Sequence, residues 1–252
     1  MSGPAYSLRG LVHAYDGAKA LDVPRLDLAA GRIVALVGPN GSGKTTLLSI
    51  LALLLSPTAG SVAVEGTDAA RGGAADALRR RVTLIQQTPV VFSTTVWNNA
   101  AYGLRARGLA RREAAARVRP MLDALGLAGL ERKAARRLSG GECRRLVLAR
   151  GLVLETPILL LDEPTSFLDA TFRPLLLDLL RRRHAERGTT IVLATHDLAF
   201  AESLAHQVLR LERGKIVSAD EVANTCIVGA QRAAPSERTE GAARCAPTKD
   251  NQ

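Results

Sequence analysis

The chain has 252 residues, 47% of them hydrophobic, which suits one large α/β domain or a domain with a small subdomain; much of the apolar fraction is alanine. No apolar run reaches the roughly 18–20 residues that span a bilayer, Met1 to Tyr6 has no charged start leading into an apolar stretch, and the odd set Cys143, Cys226 and Cys245 lacks metal spacing and reads as reduced thiols. A net charge of +10 and a pI near 10.3 admit nucleic acid or anionic lipid as partners, but aromatics are only 3% and the arginines are scattered through helical patterns, so a solvated basic surface is expected and no nucleic-acid platform is read.

In chain order, Tyr6 to Tyr15 predicts a strand that turns at Asp16-Gly17, and Arg25 to Leu28 a half-exposed strand before Gly31. Ile33 to Val37 is a short apolar run suited to a buried parallel strand, and Thr46 to Leu55 a buried helix. Ser61 to Gly66 and Val82 to Gln87 read as further strands. After Pro89 the pattern turns helical, from Val96 to Leu154, with breaks at Gly108, Gly126 and Gly129. Ile158 to Asp162 and Thr190 to Thr195 return to buried strands, with a helix between them beginning near Pro174. Gln207 to Val217 predicts a hairpin turning at Gly214, and from Ser218 the chain becomes a polar tail expected to be mobile.

Between the third strand and its helix lies Gly38-Pro39-Asn40-Gly41-Ser42-Gly43-Lys44-Thr45-Thr46, which fits G-x-x-x-x-G-K-[ST] in the strand–loop–helix setting that phosphate binding requires. Glycines let backbone N–H groups turn inward, and the new helix adds its positive end. Lys44 is expected to reach the β- and γ-phosphates and Thr45 to ligate Mg²⁺. Asp162, at the end of a buried strand, can hold Mg²⁺ through water, and Glu163 is placed to orient or deprotonate the attacking water. Alone, two such acids are a solvated strand end; coupled to the phosphate loop they read as a metal and base pair. Ser139 with Glu142 three residues on is a capping box that starts a helix. Gly140 and Gly141 weaken that first turn, which makes sense if an anion must approach it closely.

Together these stretches resemble the ATP-binding subunits of ABC transporters, from about Tyr6 to Val217. Gly38–Thr46 matches the family's Walker A, Leu138–Glu142 its signature, and Ile158–Glu163 its Walker B. Gln87 matches the Q-loop, Ser166–Asp169 the D-loop, His196 the H-loop, and Tyr15 the aromatic that stacks on adenine. Taken singly, Tyr15, Gln87 and His196 are unremarkable strand-end residues; only their joint order raises them to site residues. Glu142 stands where the family has glutamine, and Phe167 where alanine is commoner.

The resemblance implies a P-loop, RecA-like α/β core (6–87 and 157–217) with an antiparallel β portion and an inserted helical subdomain, about 88–156, followed by a disordered tail at 218–252. It implies a head-to-tail homodimer closing on two ATP molecules with Mg²⁺ on Thr45, Asp162 and Gln87, hydrolysis with Glu163 as base assisted by His196 and Gln87, and Asp169 linking the two sites. Ser139, Gly140, Gly141 and Glu142 would face the γ-phosphate bound by the opposite subunit. The chain would sit on the cytoplasmic face of the membrane and drive a separate permease, met through the region Gln87–Tyr102 with Val90, Val91, Phe92 and Trp97. With it would work an extracytoplasmic substrate-binding protein, if the system imports. Phe92 to Gly108 is most similar to oxyanion importers, of tungstate type first, then phosphate and molybdate. An export ATPase and a soluble ABC ATPase acting on nucleic acid or ribosomes are the alternatives.

Overall fold

The computed structural model describes residues 3–70, 73–166, 168 and 171–222. Strands β1 (Pro4–Tyr15) and β2 (Ala18–Ala29) form an antiparallel hairpin. β4 (Ala59–Val64) and the short β5 (Thr67–Asp68) complete a four-stranded sheet in the order β2-β1-β4-β5. β2 is longer than Arg25–Leu28 and contains Pro24; an edge strand tolerates proline because that N–H has no ladder to join.

The second sheet runs β10-β9-β3-β8-β7-β6, built from β3 (Ile33–Val37), β6 (Val82–Ile85), β7 (Ile158–Asp162), β8 (Thr190–Thr195), β9 (Gln207–Glu212) and β10 (Lys215–Glu221). All its pairings are parallel except β9 with β10. Every residue of β3, β7 and β8 is buried, and alternate side chains feed two cores. Ile33, Ala35, Leu159, Leu161, Ile191 and Leu193 face one core, whereas Val34, Leu36, Ile158, Leu160 and Val192 face the other. Strands covered on both faces have no position for a polar alternate, hence the unbroken apolar runs. Each buried Val, Leu or Ile contributes about 1.5–3 kcal/mol.

Helix α1 (Lys44–Leu51) packs in the second core with the antiparallel sheet. It stops four residues short of the expected Leu55. Leu53 takes a left-handed φ of 59°, Leu54 is exposed, and the Tyr6 hydroxyl donates to Leu51 O at 2.9 Å, satisfying one terminal carbonyl. The short α2 (Ala74–Arg79) has no counterpart in the sequence reading. The first core takes α3 (Val96–Ala106), α4 (Arg111–Ala124), the 3-10 turn Ala135–Arg137 and α5 (Gly140–Leu152). Thr95 caps α3 by accepting from Asn98 N. On the same face lie α6 (Phe172–Arg187) and α7 (Leu198–Leu204). α6 begins two residues before Pro174, whose missing N–H falls within the first turn, where no intrahelical partner exists. The final hairpin runs on to Glu221 rather than ending at Val217, since Ser218 to Glu221 still pair with Arg210 to Gln207. The rest of the expected tail, from 223 on, lies outside the described residues, as do Cys226 and Cys245.

Candidate active site

The carboxyl ends of β3, β7 and β8 converge on a cavity of about 530 Å³. It is lined by Tyr15, Ala20, Asn40, Gly41, Ser42, Gly43, Lys44, Thr45, Thr46, Gln87, Asp162, Glu163 and His196. Open parallel sheets place ligands at this edge, because the loops and helix N-termini there converge. The structure therefore brings together most residues that the sequence singled out. Gly38 and Pro39 stand behind the loop and accept hydrogen bonds from Lys44 Nζ at 2.8 and 3.0 Å.

The loop is held from below by parts of the chain far away in sequence. Gly214 N, in the β9–β10 turn, donates to Ser42 O at 2.9 Å, and Asp22 N donates to Gly214 O at 2.8 Å. A Cβ on Gly38 would lie 2.1 Å from Leu211 O, and one on Gly43 2.7 Å from a Leu21 methyl, at a φ of 104°. Both positions exclude side chains for reasons of contact as well as backbone freedom. The role of Gly214 was not readable from sequence: it reads there only as a hairpin turn.

Asp162 and Glu163 are both buried. Burial raises the Asp162 carboxyl pKa, with neighbouring Glu163 adding to the shift and a Thr45 hydrogen bond and Lys44 opposing it. Asp162 Oδ1 has no hydrogen-bond partner among the described residues. An orphaned buried carboxylate oxygen beside a threonine hydroxyl is the hard-oxygen donor set that suits Mg²⁺, so the residues present fit that ion. Glu163 takes a left-handed φ of 46°, a conformation worth about 1–3 kcal/mol of strain for a non-glycine residue. Its N–H donates to Ala194 O at 2.8 Å. Its Oε2 lies 2.9 Å from His196 Nδ1 and 3.4 Å from the Thr195 hydroxyl. A carboxylate only accepts, so Nδ1 carries the imidazole proton and Nε2 is left facing outward. Thr195, absent from the sequence-level set, also accepts from Asp197 N at 3.0 Å and so fixes the turn carrying His196.

Tyr15 is half exposed at the cavity mouth, with the ring of His13 packed edge-on at 4.7 Å. Ser139 accepts from Glu142 N at 3.2 Å, and Glu142 Oε2 accepts from Ser139 N at 2.7 Å, the expected capping box. That backbone bond, with help from the Ser139 hydroxyl and Lys133, pulls the Glu142 pKa down. Ser139 and Gly140 are exposed, and the helix start lines no part of the cavity. Asp169 and Phe167 lie outside the described residues. Of the apolar positions between 87 and 102, Val90, Phe92 and Tyr102 are exposed, with the Phe92 and Tyr102 rings 4.5 Å apart. Val91 and Trp97 instead pack onto the first core.

The family profile described as "ABC transporter" matches residues 21–166, and one described as "AAA domain, putative AbiEii toxin, Type IV TA system" matches 134–202. The sulfate/thiosulfate import ATP-binding protein CysA of Bordetella parapertussis is 42% identical over 214 residues, 83% of this chain and 60% of that protein. The thiamine import ATP-binding protein ThiQ of Jannaschia sp. is 42% identical over 193 residues, 76% of this chain and 83% of that one. The chain thus spans 60% of the length of the first curated relatives it matches. Among solved structures, a dimeric bacterial ABC transporter cassette superimposes with a TM-score of 0.80 at 26% identity, covering 86% of this chain and 98% of that one.

Proposed function

The chain belongs to the ABC transporter family, and from that premise we propose that it binds and hydrolyses ATP to energise transport through a separate permease. The observation that carries the catalytic reading is the convergence of Lys44, Asp162, Glu163 and His196 on one cavity at the sheet edge. In this reading the Lys44 loop cradles the phosphates and Tyr15 stacks on the base. The Thr45 hydroxyl, Asp162 through water, and Gln87 would hold Mg²⁺, which would supply positive charge to offset that of the phosphates. Glu163 accepts a proton from the attacking water, and His196, hydrogen-bonded to it, orients the carboxylate and presents Nε2 to the γ-phosphate.

The exposed, capped start at Ser139-Gly140-Gly141-Glu142 would complete the site of a second copy, with Asp169 at the junction between the two sites. A dimer of this kind is supported by the helix start's absence from its own chain's cavity. The exposed Val90, Phe92 and Tyr102 offer the permease an apolar contact. We read 6–87 and 157–217 as core and 88–156 as the inserted helical subdomain, working at the cytoplasmic face of the membrane. No helix among the described residues is long and apolar enough to cross it.

Import is favoured over export because the curated relatives are named as import proteins. For cargo we propose an oxyanion, tungstate being the member the Phe92–Gly108 stretch suggests, delivered by an extracytoplasmic binding protein. The sulfate/thiosulfate relative supports the class, while the equally similar thiamine relative shows how little the ATPase alone constrains it.

The expected result is that Glu163→Gln keeps ATP binding, lowers turnover by at least about a hundredfold and accumulates an ATP-bound dimer visible by light scattering. Turnover near the wild-type rate would remove Glu163 as the base. Copurified permease whose ATPase answers to no tungstate, molybdate, phosphate or sulfate binding protein would reject the oxyanion cargo.

A further inference from the structure

We propose that Arg144 is a positioning residue for hydrolysis: its guanidinium, carried by α5, fixes the two backbone ends from which Gln87 and Glu163 enter the cavity. The proposal rests on the reading of those two residues given above. Arg144 is completely withdrawn from solvent and is the largest such side chain among the described residues. Nη1 donates to Gln86 O at 2.5 Å and Gln87 O at 2.9 Å, and Nη2 donates to Glu163 O at 2.8 Å and Asp162 O at 3.3 Å. No carboxylate forms an ion pair with it among the described residues; four carbonyl dipoles answer the charge. Burial draws its pKa down to about 10, countered by Asp162 and Glu163, so it stays charged at neutral pH.

A buried charge hydrogen-bonded only to backbone carbonyls is a costly way to fill space, and a hydrocarbon of similar volume would do that more cheaply. What the fork adds is geometry. The bond to Glu163 O holds the carbonyl of the one residue at the end of β7 whose φ is left-handed. The bonds to Gln86 O and Gln87 O hold the segment that carries the Gln87 side chain into the same cavity. Both sets of bonds originate in α5, whose first turn starts at the exposed Ser139 and Gly140. A displacement at that end therefore reaches the base and the glutamine through one planar group. Lysine keeps the charge but has no fork to span two strand ends.

The molecule supplies its own control. Arg183, on α6, is also buried, is likewise drawn down to about 10, and donates to Leu152 O at 2.6 Å and Thr156 O at 3.3 Å, all away from the cavity. The experiment compares full-length wild type with Arg144→Lys, Arg144→Gln, Arg183→Lys and Arg183→Gln, reading ATPase kcat and KM, the Kd of a fluorescent ATP analogue and the melting temperature. The expected result is a fall in kcat of about tenfold or more for either folded Arg144 variant, with Kd and KM within about threefold of wild type. The Arg183 variants should lose melting temperature comparably while keeping kcat. Equal losses of kcat in the two series, or a loss in the Arg144 series confined to Kd, would overturn the positioning role. A wild type that does not hydrolyse ATP, or an active Glu163→Gln, would instead remove the reading on which it rests.

Discussion

At the scale of single residues, the site is a set of groups that each need a neighbour to be useful. Tyr15 presents a half-exposed ring to the cavity, and the His13 ring meets it edge-on. Stacking on a base is worth about 1–3 kcal/mol, so Tyr15→Ala should weaken ATP-analogue binding by about 5- to 150-fold and Tyr15→Trp should restore it. Titration of the fluorescent analogue against each variant checks this, and unchanged affinity in Tyr15→Ala would take the base elsewhere. Lys44, Thr45, Asp162 and Glu163 were legible in sequence because phosphate and metal chemistry demand those residue types at fixed places relative to strand ends. Arg144, Thr195 and Gly214 were not, since a buried guanidinium bonded to carbonyls, a threonine behind a carboxylate and a glycine in a hairpin turn have no spacing to betray them. Gln87, Glu163 and Ser42, which they bond in turn, are 57, 32 and 172 positions away in the chain.

Elements follow burial more closely than propensity. β3, β7 and β8 were plain as apolar runs because both faces of the sheet are covered. The end of α1 was misjudged because its leucines continue past the point where the Tyr6 hydroxyl and the left-handed Leu53 close the helix. β10 was cut short because it is an edge strand, and an edge strand exposed on one side can be polar throughout.

At the far end of the same sheet, His206 Nδ1 accepts from Ile33 N at 2.9 Å, so its ring is held neutral. Burial, then His184 at 4.9 Å and Arg32, lowers its pKa below 6.5, opposed by Glu221. As pH falls below 6.5, the unfolded chain takes up this proton before the folded one does. The stability contributed by His206 is thus complete above 6.5 and is lost as pH falls through the lower folded value. His206→Asn keeps an acceptor for Ile33 N without the titration. Melting curves at pH 7.5 and 5.5 should show a smaller drop for that variant; an equal drop would place the sensitivity in other groups.

The whole molecule is arranged as a sheet with the candidate site at one edge, an antiparallel sheet and α1 on one face, and a helical layer on the other. The helical segment 88–156 carries most of the excess positive charge. Arg111, Arg112, Arg132, Arg136 and Arg137 there are exposed and make no ion pair among the described residues. Arg150 lies over the exposed Phe92 ring at 4.8 Å and donates to Val90 O at 2.8 Å, so the apolar face proposed for the permease has a guanidinium against it. The run of helices α3 to α5 was readable from the change of periodicity at Pro89. The role proposed for the α5 start was readable only through resemblance, because Ser139 to Glu142 bond one another as a helix cap and line no part of their own chain's cavity.

Gly140 makes that last point measurable. It opens α5 without a left-handed φ, and a Cβ added there would meet nothing within 4 Å. Alanine at this position should therefore stabilise the isolated chain, by about 0.4–1 kcal/mol or about 1–4 °C in Tm, while ATP turnover falls because the added methyl meets the partner's nucleotide. A Gly140→Ala variant that melts higher and hydrolyses normally would deny the helix start any role across the dimer. For an engineer the consequence is a trap. A redesign scored on one copy of this chain would replace Gly140 first, record a gain in stability, and deliver a better-folded protein that no longer works.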